Sequence, residues 1–488
     1  MQKTEECNKF PQGLLLWGAG DISSPAVRGE DVYLNPGGRV RLQWLTACKE
    51  ERALKADLME EIADLSNLIT ALRQVVNNGG SAGIDGMTVT ELKEWFAHNW
   101  QELQSSLLDG NWTPSGVRGV RIPKPKGGYR QLGIPTCKDR VIQQAISQVL
   151  SKRYEPIFSE NSYGFRPRRN AHQALLKAAG YVAEGYSYVV DLDLEKFFDN
   201  VNHDRLLWLL GTRIGDSRVL SLIGKILRSG ILQEGLISQR IKGTPQGSPL
   251  SPLLSNIVLD ELDKELEVRG HRFVRYADDQ IILVRSEEAA NRVQKSITDF
   301  IENRMRLKVN REKSRICRPH ELNFLGYSIY GRGKLGISRE SFDRFKEKLR
   351  RITRRNRGIS LDQLIHGLNL VLRGWLNYFR LASMKFKLER LVLWLRRRIR
   401  CFRIKQCKRA KGIIKFLCSR GVPKWRTLLI ASSGKGWYKL ACSPPVHEAM
   451  NLAWFDDIGL FCLHTNYCII FKETAQYVKR TLGGVRGS

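Results

Sequence analysis

The chain has 488 residues and is 42% hydrophobic, which suffices for two to four domains with buried cores and excludes a wholly disordered protein. Its 80 Lys and Arg outnumber its 49 Asp and Glu and give a net charge of +31, which predicts a polyanionic partner. The ten Cys residues form no C-x-x-C pair, and the longest early apolar run, Leu14 to Ala19, is too short to cross a bilayer. We therefore expect no secretory leader, reduced thiols, a cytoplasmic location and no membrane partner.

The positive charge is concentrated in one part of the chain. Residues 341–420 hold 24 Lys and Arg against 4 Asp and Glu, whereas residues 1–340 hold 48 against 41. A solvated surface does not require such asymmetry. The segment after residue 340 is therefore predicted to contact nucleic acid.

The N-terminal quarter contains one predicted helical region. Residues 1–48 show no hydrophobic periodicity and are expected to form a weakly ordered extension. From Glu50 to Val76 the apolar residues recur at helical spacing, which predicts one amphipathic helix or a pair of them. Gly-rich sequence from Asn77 to Gly86 then predicts a loop.

Two basic stretches follow. Val120 to Asp139 reads as a hairpin with Gly127 and Gly128 at its turn. Its cations Lys124 and Arg130 fit either a solvated edge strand or a phosphate clamp. Asn161 to Ala174 interleaves aromatic and Arg residues, Arg166 among them, before a helix that begins near Asn170, and this mixture suits a nucleic-acid strand.

Acidic residues then occur in two β-prone stretches. Tyr188 to Leu194 alternates, so that Asp191 and Asp193 face one side of a strand. His271 to Arg285 predicts a hairpin with Asp278 and Asp279 at its tip. The Asp-Asp pair is either a solvated turn or part of a divalent-cation site. Two Mg²⁺ ions about 3.5–4 Å apart can support an in-line phosphoryl displacement.

A rigid turn lies between these acidic stretches, and a Cys/His group lies near the C-terminus. Three prolines in Gly243 to Pro252 exclude a regular helix or central strand at its start, and the turn presents Gln246 before a helix from Leu250 to Leu262. Cys462, His464 and Cys468 lack a second ligand pair, so we do not predict zinc.

Together these blocks resemble the reverse transcriptases encoded by bacterial group II introns, from about Asn77 to the C-terminus. The matching motifs are Y-G-F-R at 163–166, P-Q-G at 245–247 and Y-A-D-D at 276–279. The resemblance implies an α+β right-hand polymerase, with fingers and palm over residues 49–335. After them would come an α-helical thumb/maturase domain over 336–425. A short basic DNA-binding-like segment over 426–488 would be last, with no endonuclease domain.

The resemblance also assigns roles at the catalytic centre. Two Mg²⁺ ions would be held by Asp193, Asp278 and the Leu194 carbonyl, with Asp279 as a supporting carboxylate. Phe198, five residues after Asp193, is either a steric gate that excludes ribonucleotides or a core residue. Lys313 is either a general acid near the leaving pyrophosphate or an exposed structural lysine.

Nucleic-acid and nucleotide contacts are implied elsewhere. The nucleotide-binding set is Lys124, Arg130, Phe198 and Gln246. The template and primer set is Arg166, Gly247, Tyr276, Phe324 and Gly326. Beside the apolar stripe from Leu388 to Phe402, the RNA-binding set is Arg396, Arg397, Arg400 and Arg403.

The implied function is RNA-directed DNA synthesis by an intron protein that also binds intron RNA to assist splicing and supports mobility by target-primed reverse transcription. Its partners would be group II intron RNA, target DNA, an RNA/DNA primer-template and deoxynucleoside triphosphates; the sequence leaves the oligomeric state open. Two alternatives are a protein that works mainly as a splicing factor and a host-adopted relative that acts in DNA repair or defence. Intron sequence around the gene distinguishes the last alternative.

Overall fold

The computed structural model describes residues 57–123, 127–233, 236–238, 242–244 and 247–471. The predicted N-terminal extension, Lys124, Gln246 and the last residues of the C-terminal segment lie outside these ranges. The strands are β1 Val117–Pro123, β2 Tyr129–Ile134, β3 Tyr188–Leu192, β4 Ile231–Gln233, β5 Leu236–Ser238, β6 Arg272–Tyr276, β7 Asp279–Val284, β8 Arg315–Cys317, β9 Tyr327–Tyr330 and β10 Lys334–Ile337.

Helices surround and follow these strands. In the first half they are α1 Leu58–Ala63, α2 Leu65–Asn78, α3 Val89–Leu108, α4 Cys137–Tyr154, α5 Ala171–Ala183, α6 Phe197–Asn200, α7 His203–Gly211, α8 Ser217–Arg228 and α9 Ser251–Val268. Then come α10 Glu287–Asp299, α11 Arg339–Ile352, α12 Leu361–Tyr378, α13 Lys385–Gln406, α14 Ala410–Cys418, α15 Lys424–Ala431, α16 Trp437–Leu440, α17 Pro444–Ala449 and α18 Leu452–Asp457. In the described part of the chain, none of these helices is both long and apolar enough to span a bilayer.

Local sequence explains several helix ends. Asp64 separates α1 from α2, because its carboxylate accepts hydrogen bonds from the backbone N–H groups of Ser66 and Asn67 and so caps α2. Asn170 and Gln173 form a reciprocal capping box at the start of α5. The predicted pair of N-terminal helices is thus confirmed from Leu58 onward, and so is the helix start near Asn170.

The strands form two four-stranded sheets and a separate hairpin. Among the described strands, one sheet has the order β2-β1-β4-β5, the other has the order β6-β7-β3-β8, and β9 pairs only with β10. The sheet containing β3 lies between two hydrophobic cores, since Val190 and Ile282 belong to one core whereas Val189 and Ile281 belong to the other. Alternating side chains along each strand therefore anchor this sheet on both faces.

The two hydrophobic cores contain residues from different parts of the chain. The first joins α1–α4 and α6–α10 to one face of the β3 sheet. The second joins its other face to β9, β10 and the helices from α11 onward, as far as Tyr467. The predicted apolar stripe of α13 is fully buried in this second core, at Leu388, Leu391, Leu395, Ile399 and Phe402. The predicted α+β region followed by helices is therefore confirmed.

Candidate active site

The acidic residues come together at one end of the β3 sheet. Strand β3 pairs antiparallel with β7, with Leu192 opposite Gln280. One further step along both strands sets Asp193 opposite Asp279, which itself pairs with Tyr276 across the β6–β7 hairpin. The predicted hairpin is confirmed, with Asp279 as the first residue of β7 and Asp278 in the turn.

The turn that carries Asp278 is tightly held. Ala277 is buried and has a left-handed φ of 58°, which few non-glycine residues adopt. Gly164 lies directly against it, because a Cβ built on Gly164 would be 2.1 Å from the backbone nitrogen of Ala277. Only glycine fits this close approach, so the loop after α4 lies directly against the turn that carries Asp278.

Asp193 is held by the loop that precedes β8. Its carbonyl accepts a hydrogen bond from the backbone N–H of Asn310 at 2.8 Å, and its own N–H donates to Ser314 Oγ at 3.0 Å. The exposed Lys313 ammonium lies 3.1 Å from Asp193 Oδ2. Nearby, Leu194 forms an isolated bridge with Val309. The supporting roles of Asn310 and Ser314 were not predicted, since nothing in the sequence marks them as neighbours of Asp193.

Burial and repulsion from neighbouring carboxylates raise the pKa values of Asp278 and Asp279. Burial, and then repulsion from Asp193, raises the pKa of Asp278, while the positive charges of Arg130 and Lys313 oppose the rise. Partial removal from bulk water, followed by repulsion from Asp278, raises the pKa of Asp279 to about 6, although solvent still reaches its side chain. Negative charge concentrated in this way favours a bound cation.

These groups are oxygen donors of the kind that bind a divalent cation together with other ligands. Among the residues the structure describes, no group of three or more His, Cys, Asp or Glu is arranged to hold a metal ion by itself. Mg²⁺ is commonly held by one or two carboxylates together with substrate phosphates and water. The hard oxygen donors Asp193, Asp278 and Asp279 and their mutual repulsion match that chemistry.

Phe198 follows Asp193 by five residues and lies on the short helix α6. Phe197 is buried, whereas Phe198 is half-buried and meets it edge-on with ring centroids 5.4 Å apart. The backbone N–H of Thr244 donates to the Phe198 carbonyl at 2.7 Å. A Cβ on Gly243, which has a left-handed φ of 88°, would lie 2.8 Å from the same carbonyl. The backbone of Phe198 is therefore fixed while part of its ring faces solvent, as a steric gate requires.

The basic hairpin is formed as predicted in its described part. Strands β1 and β2 pair antiparallel with Ile122 opposite Arg130. Gly127 and Gly128 both have left-handed φ values at the turn, and the Arg130 side chain is exposed. Gly247 approaches the same hairpin, since its Cβ would lie 3.1 Å from the Gly133 carbonyl.

Comparison with known proteins agrees with this geometry. Residues 122–329 match the protein family described as reverse transcriptase (RNA-dependent DNA polymerase), and residues 342–417 match the group II intron maturase-specific domain. Protein YkfC of Escherichia coli (strain K12) is 30% identical over 305 residues, which cover 54% of this chain and 80% of that protein. The chain belongs to the group II intron reverse transcriptase and maturase family.

Other relatives of this reverse transcriptase are matched over a smaller part of their length. Group II intron-encoded protein LtrA of Lactococcus lactis subsp. cremoris is 32% identical over 295 residues, 47% of this chain and 49% of that protein. The chain thus spans about half of LtrA. A putative COX1/OXI3 intron 2 protein of Saccharomyces cerevisiae is 26% identical over 333 residues, 56% of this chain and 38% of that protein. Because relatives occur in yeast as well as bacteria, the matches support the family and leave the predicted bacterial origin open.

Two residues that we predicted to contact template or primer are buried within the protein. Arg166 is buried, pairs with Glu155 at 2.9 Å and donates to the Ser162 carbonyl at 2.9 Å, so its guanidinium is fully engaged. Phe324 is 3% exposed in the second core. Both side chains are shielded from solvent by protein, and their roles at template or primer stay predictions.

Neighbours of Arg166 are exposed in its place. The Phe165 side chain is 55% exposed, Arg168 is exposed as well, and both have left-handed φ values, 58° and 60°. A bulky residue in this conformation is uncommon and costs of order 1 kcal/mol or more. The sequence carried no signal that separates Arg168 from Arg166, because burial is decided by the backbone path of the loop.

The loop between Phe324 and Tyr327 is attached to the thumb. Gly326 has a φ of 83°, and a Cβ there would lie 3.2 Å from the Phe379 ring. The Tyr378 hydroxyl donates to the Leu325 carbonyl at 2.9 Å, and His172 Nε2 lies 2.7 Å from the Tyr378 carbonyl. The end of helix α12 is therefore hydrogen-bonded to this loop and to α5 together.

The predicted RNA-binding arginines of α13 differ in their exposure. Arg400 is buried and donates two hydrogen bonds to the Met450 carbonyl, at 3.0 and 2.8 Å, so it does not face the surface as predicted. Arg396 stacks over Phe455 at 5.6 Å and Arg403 over Phe416 at 4.4 Å. Arg397 donates to the Tyr438 hydroxyl at 2.6 Å.

More accessible cations lie at the end of α11 and in the loop that follows it. Arg351, in the last turn of α11, and Arg354 and Arg355, in the loop, are all exposed. The sequence did not single them out, because they lack the apolar stripe that drew attention to α13.

Proposed function

We propose that this protein extends a DNA primer on an RNA template and that its helical segment binds group II intron RNA to promote splicing and mobility. The observation that carries the proposal is the convergence of Asp193, Asp278 and Asp279 at one sheet end. That sheet end lies within a reverse transcriptase domain that is followed by a maturase domain.

The chemistry assigned to the site is transfer of a nucleotidyl group to a primer 3′-hydroxyl. Asp193 and Asp278 would hold two Mg²⁺ ions, with the Leu194 carbonyl as a further ligand and Asp279 in support. When bound, the ions would supply charge neutralisation at the attacking and leaving oxygens. Lys313 is exposed and 3.1 Å from Asp193, and in this proposal it would bring a positive charge and a transferable proton to the leaving pyrophosphate.

Residues around the carboxylates would select and orient the nucleotide. The positive charge of Arg130 opposes the rise in the pKa of Asp278, and in this proposal its guanidinium would bind the triphosphate. The partly exposed ring of Phe198 would occupy the space that a ribonucleotide 2′-hydroxyl needs. The exposed pair Phe165 and Arg168 would meet the template, by stacking and by phosphate contact.

The charge distribution supports a second role in RNA binding. Residues 341–420 contain 24 Lys and Arg against 4 Asp and Glu, and this range includes the maturase match. The proposed partners are intron RNA, target DNA, the RNA/DNA primer-template and deoxynucleoside triphosphates, and the proposed location is the cytoplasm. A host-adopted role in repair or defence would use the same catalytic centre.

Primer extension by an Asp278→Asn variant tests the proposal. The substitution keeps the side-chain size but removes a negative ligand, so extension on an RNA template should fall about 100- to 1,000-fold. Affinity for intron RNA should stay within a few-fold, because the cations that bind RNA lie elsewhere. Asp204→Asn, on an exposed residue of α7, is the matched control and should extend normally. Extension by Asp278→Asn above about one-tenth of wild type would refute the assignment.

A further inference from the structure

A fully buried arginine lies beneath the catalytic turn. Arg275, on β6, has no solvent exposure, and neither does Asp263 on α9. Arg275 Nε donates to Asp263 Oδ1 at 2.8 Å and Nη2 donates to Asp263 Oδ2 at 2.5 Å. This two-point pairing fixes the guanidinium plane and leaves Nη1 to bond in another direction.

Nη1 bonds to the turn itself. It donates to the carbonyl of Ala277 at 2.9 Å and to Asn256 Oδ1 at 2.9 Å. Asn256 then donates through Nδ2 to the carbonyl of Gly164 at 2.9 Å. A single guanidinium therefore joins helix α9, the catalytic turn and, through Asn256, the glycine that packs against that turn.

The backbone of Arg275 completes the connection. Its N–H donates to the Asn161 carbonyl and its carbonyl accepts from the Tyr163 N–H, both at 2.9 Å. The strand before Asp278 is thus tied to the Asn161–Gly164 loop on one side and to β7 on the other.

We propose that Arg275, with Asp263 and Asn256, is a positioning group that holds Asp278 and Asp279 in the geometry needed for metal binding. This inference rests on the proposed polymerase function. Ala277 adopts an unfavourable left-handed conformation immediately before Asp278, so an external contact is needed to keep it there. The bond from Arg275 Nη1 to the Ala277 carbonyl is that contact.

Stability alone does not explain a charged pair at this place. A buried ion pair loses the hydration of both ions, and replacing it by apolar residues of similar size is often neutral or stabilising. An apolar pair, however, cannot donate to Ala277 and Asn256. Stability and positioning can therefore be separated by experiment.

The test compares two double variants built on the same helix. Arg275→Met with Asp263→Leu removes the positioning bonds without leaving a lone buried charge. The matched control is Arg205→Met with Glu261→Leu. It removes an ion pair between α7 and α9, in which Arg205 Nη2 lies 2.5 and 2.7 Å from the two carboxylate oxygens of Glu261. For each protein we would measure the thermal midpoint, primer-template affinity, extension rate and the Mg²⁺ concentration for half-maximal rate.

The positioning role predicts a specific combination of results. The Arg275/Asp263 variant should keep its thermal midpoint within a few degrees and its primer-template affinity within a few-fold. Its extension rate should fall about 10- to 100-fold, with a several-fold higher Mg²⁺ requirement, as expected when a residue that orients a metal ligand is lost. The control variant should keep both rate and Mg²⁺ requirement.

Two results would overturn the proposal. One is an Arg275/Asp263 variant that is stable and extends at the wild-type rate with an unchanged Mg²⁺ requirement. The other is a result for the single variant Arg275→Lys, which tests the proposal if the double variant does not fold. Lysine keeps Asp263 paired but lacks the planar fork needed to serve Asp263, Asn256 and Ala277 together. Wild-type activity in Arg275→Lys would show that positioning is unnecessary, whereas failure of the wild-type protein to extend primers would refute the proposed function instead.

Discussion

RNA affinity should depend on the exposed arginines at the end of α11 and just after it, rather than on the arginines engaged within α13. We compare two triple variants that each remove three positive charges: Arg351, Arg354 and Arg355 to Gln, and Arg396, Arg400 and Arg403 to Gln. The first set is exposed, whereas the second is buried or stacked on aromatic rings. Equal charge change makes each variant the control for the other.

The two variants are expected to change different quantities. The exposed set should change the salt dependence of RNA binding, and the α13 set should change the free energy of unfolding. Each phosphate contact contributes about 0.7 to 0.9 to the slope of log K against log salt, so loss of three contacts lowers the slope by about 2 to 3. In the second set, Arg400 loses two hydrogen bonds to Met450, and charged hydrogen bonds contribute roughly 1.5 to 3 kcal/mol each. That variant should lose about 2 kcal/mol or more of unfolding free energy, with a smaller change of salt slope.

The assay is equilibrium binding of labelled intron RNA over a KCl series, together with urea unfolding of each variant. Primer extension on a preannealed substrate, at saturating protein, checks that the catalytic centre survives in both. An unchanged slope for the exposed set, combined with a loss of about 2 to 3 for the α13 set, would refute the reasoning. It would mean that the α13 guanidiniums leave their internal partners to bind RNA, as the sequence alone had predicted.

Two further predictions concern the catalytic centre. Phe198→Val should raise the ratio of ribonucleotide to deoxynucleotide kcat/KM, because it opens the space beneath the sugar; an unchanged ratio would make Phe198 a packing residue. Metal-free protein should become more stable as the pH falls through about 6 toward 4, since the pKa of Asp279 is raised to about 6 from an ordinary value of 3.8 and protonation relieves its repulsion from Asp278. Asp279→Asn should flatten that part of the stability curve measured by urea unfolding, and an identical curve would contradict the assigned electrostatics.

The positions of the clustered carboxylates could be predicted from sequence because alternation and turn chemistry are local. The pattern Y-V-V-D-L-D-L is a strand with both faces defined, and the structure buries Val190 and Leu192 as that pattern requires. The hairpin at Asp278 follows from two β-prone runs around a short turn. The family resemblance then supplied the pairing of these two distant segments, which periodicity cannot specify.

The burial of individual arginines could not be predicted from the sequence, because tertiary contacts decide it. Arg166 and Arg168 are two residues apart in one basic motif, yet one is buried against Glu155 and the other is exposed. In α13 the helical pattern correctly located the buried stripe. It did not reveal that Arg400, beside that stripe, would be covered by the segment ending at Met450.

The second hydrophobic core has a consequence for how such proteins diverge and recombine. It runs without interruption from the face of β3 through β9 and β10 into the helices as far as Tyr467, across the predicted boundary at residue 335. A chimera that takes its maturase helices from a relative would place foreign side chains against Ile329 and Ile337 at the base of the thumb. Exchange of RNA specificity between introns is therefore expected to proceed by surface substitutions, or by transfer of the β9–β10 hairpin together with the helices that cover it.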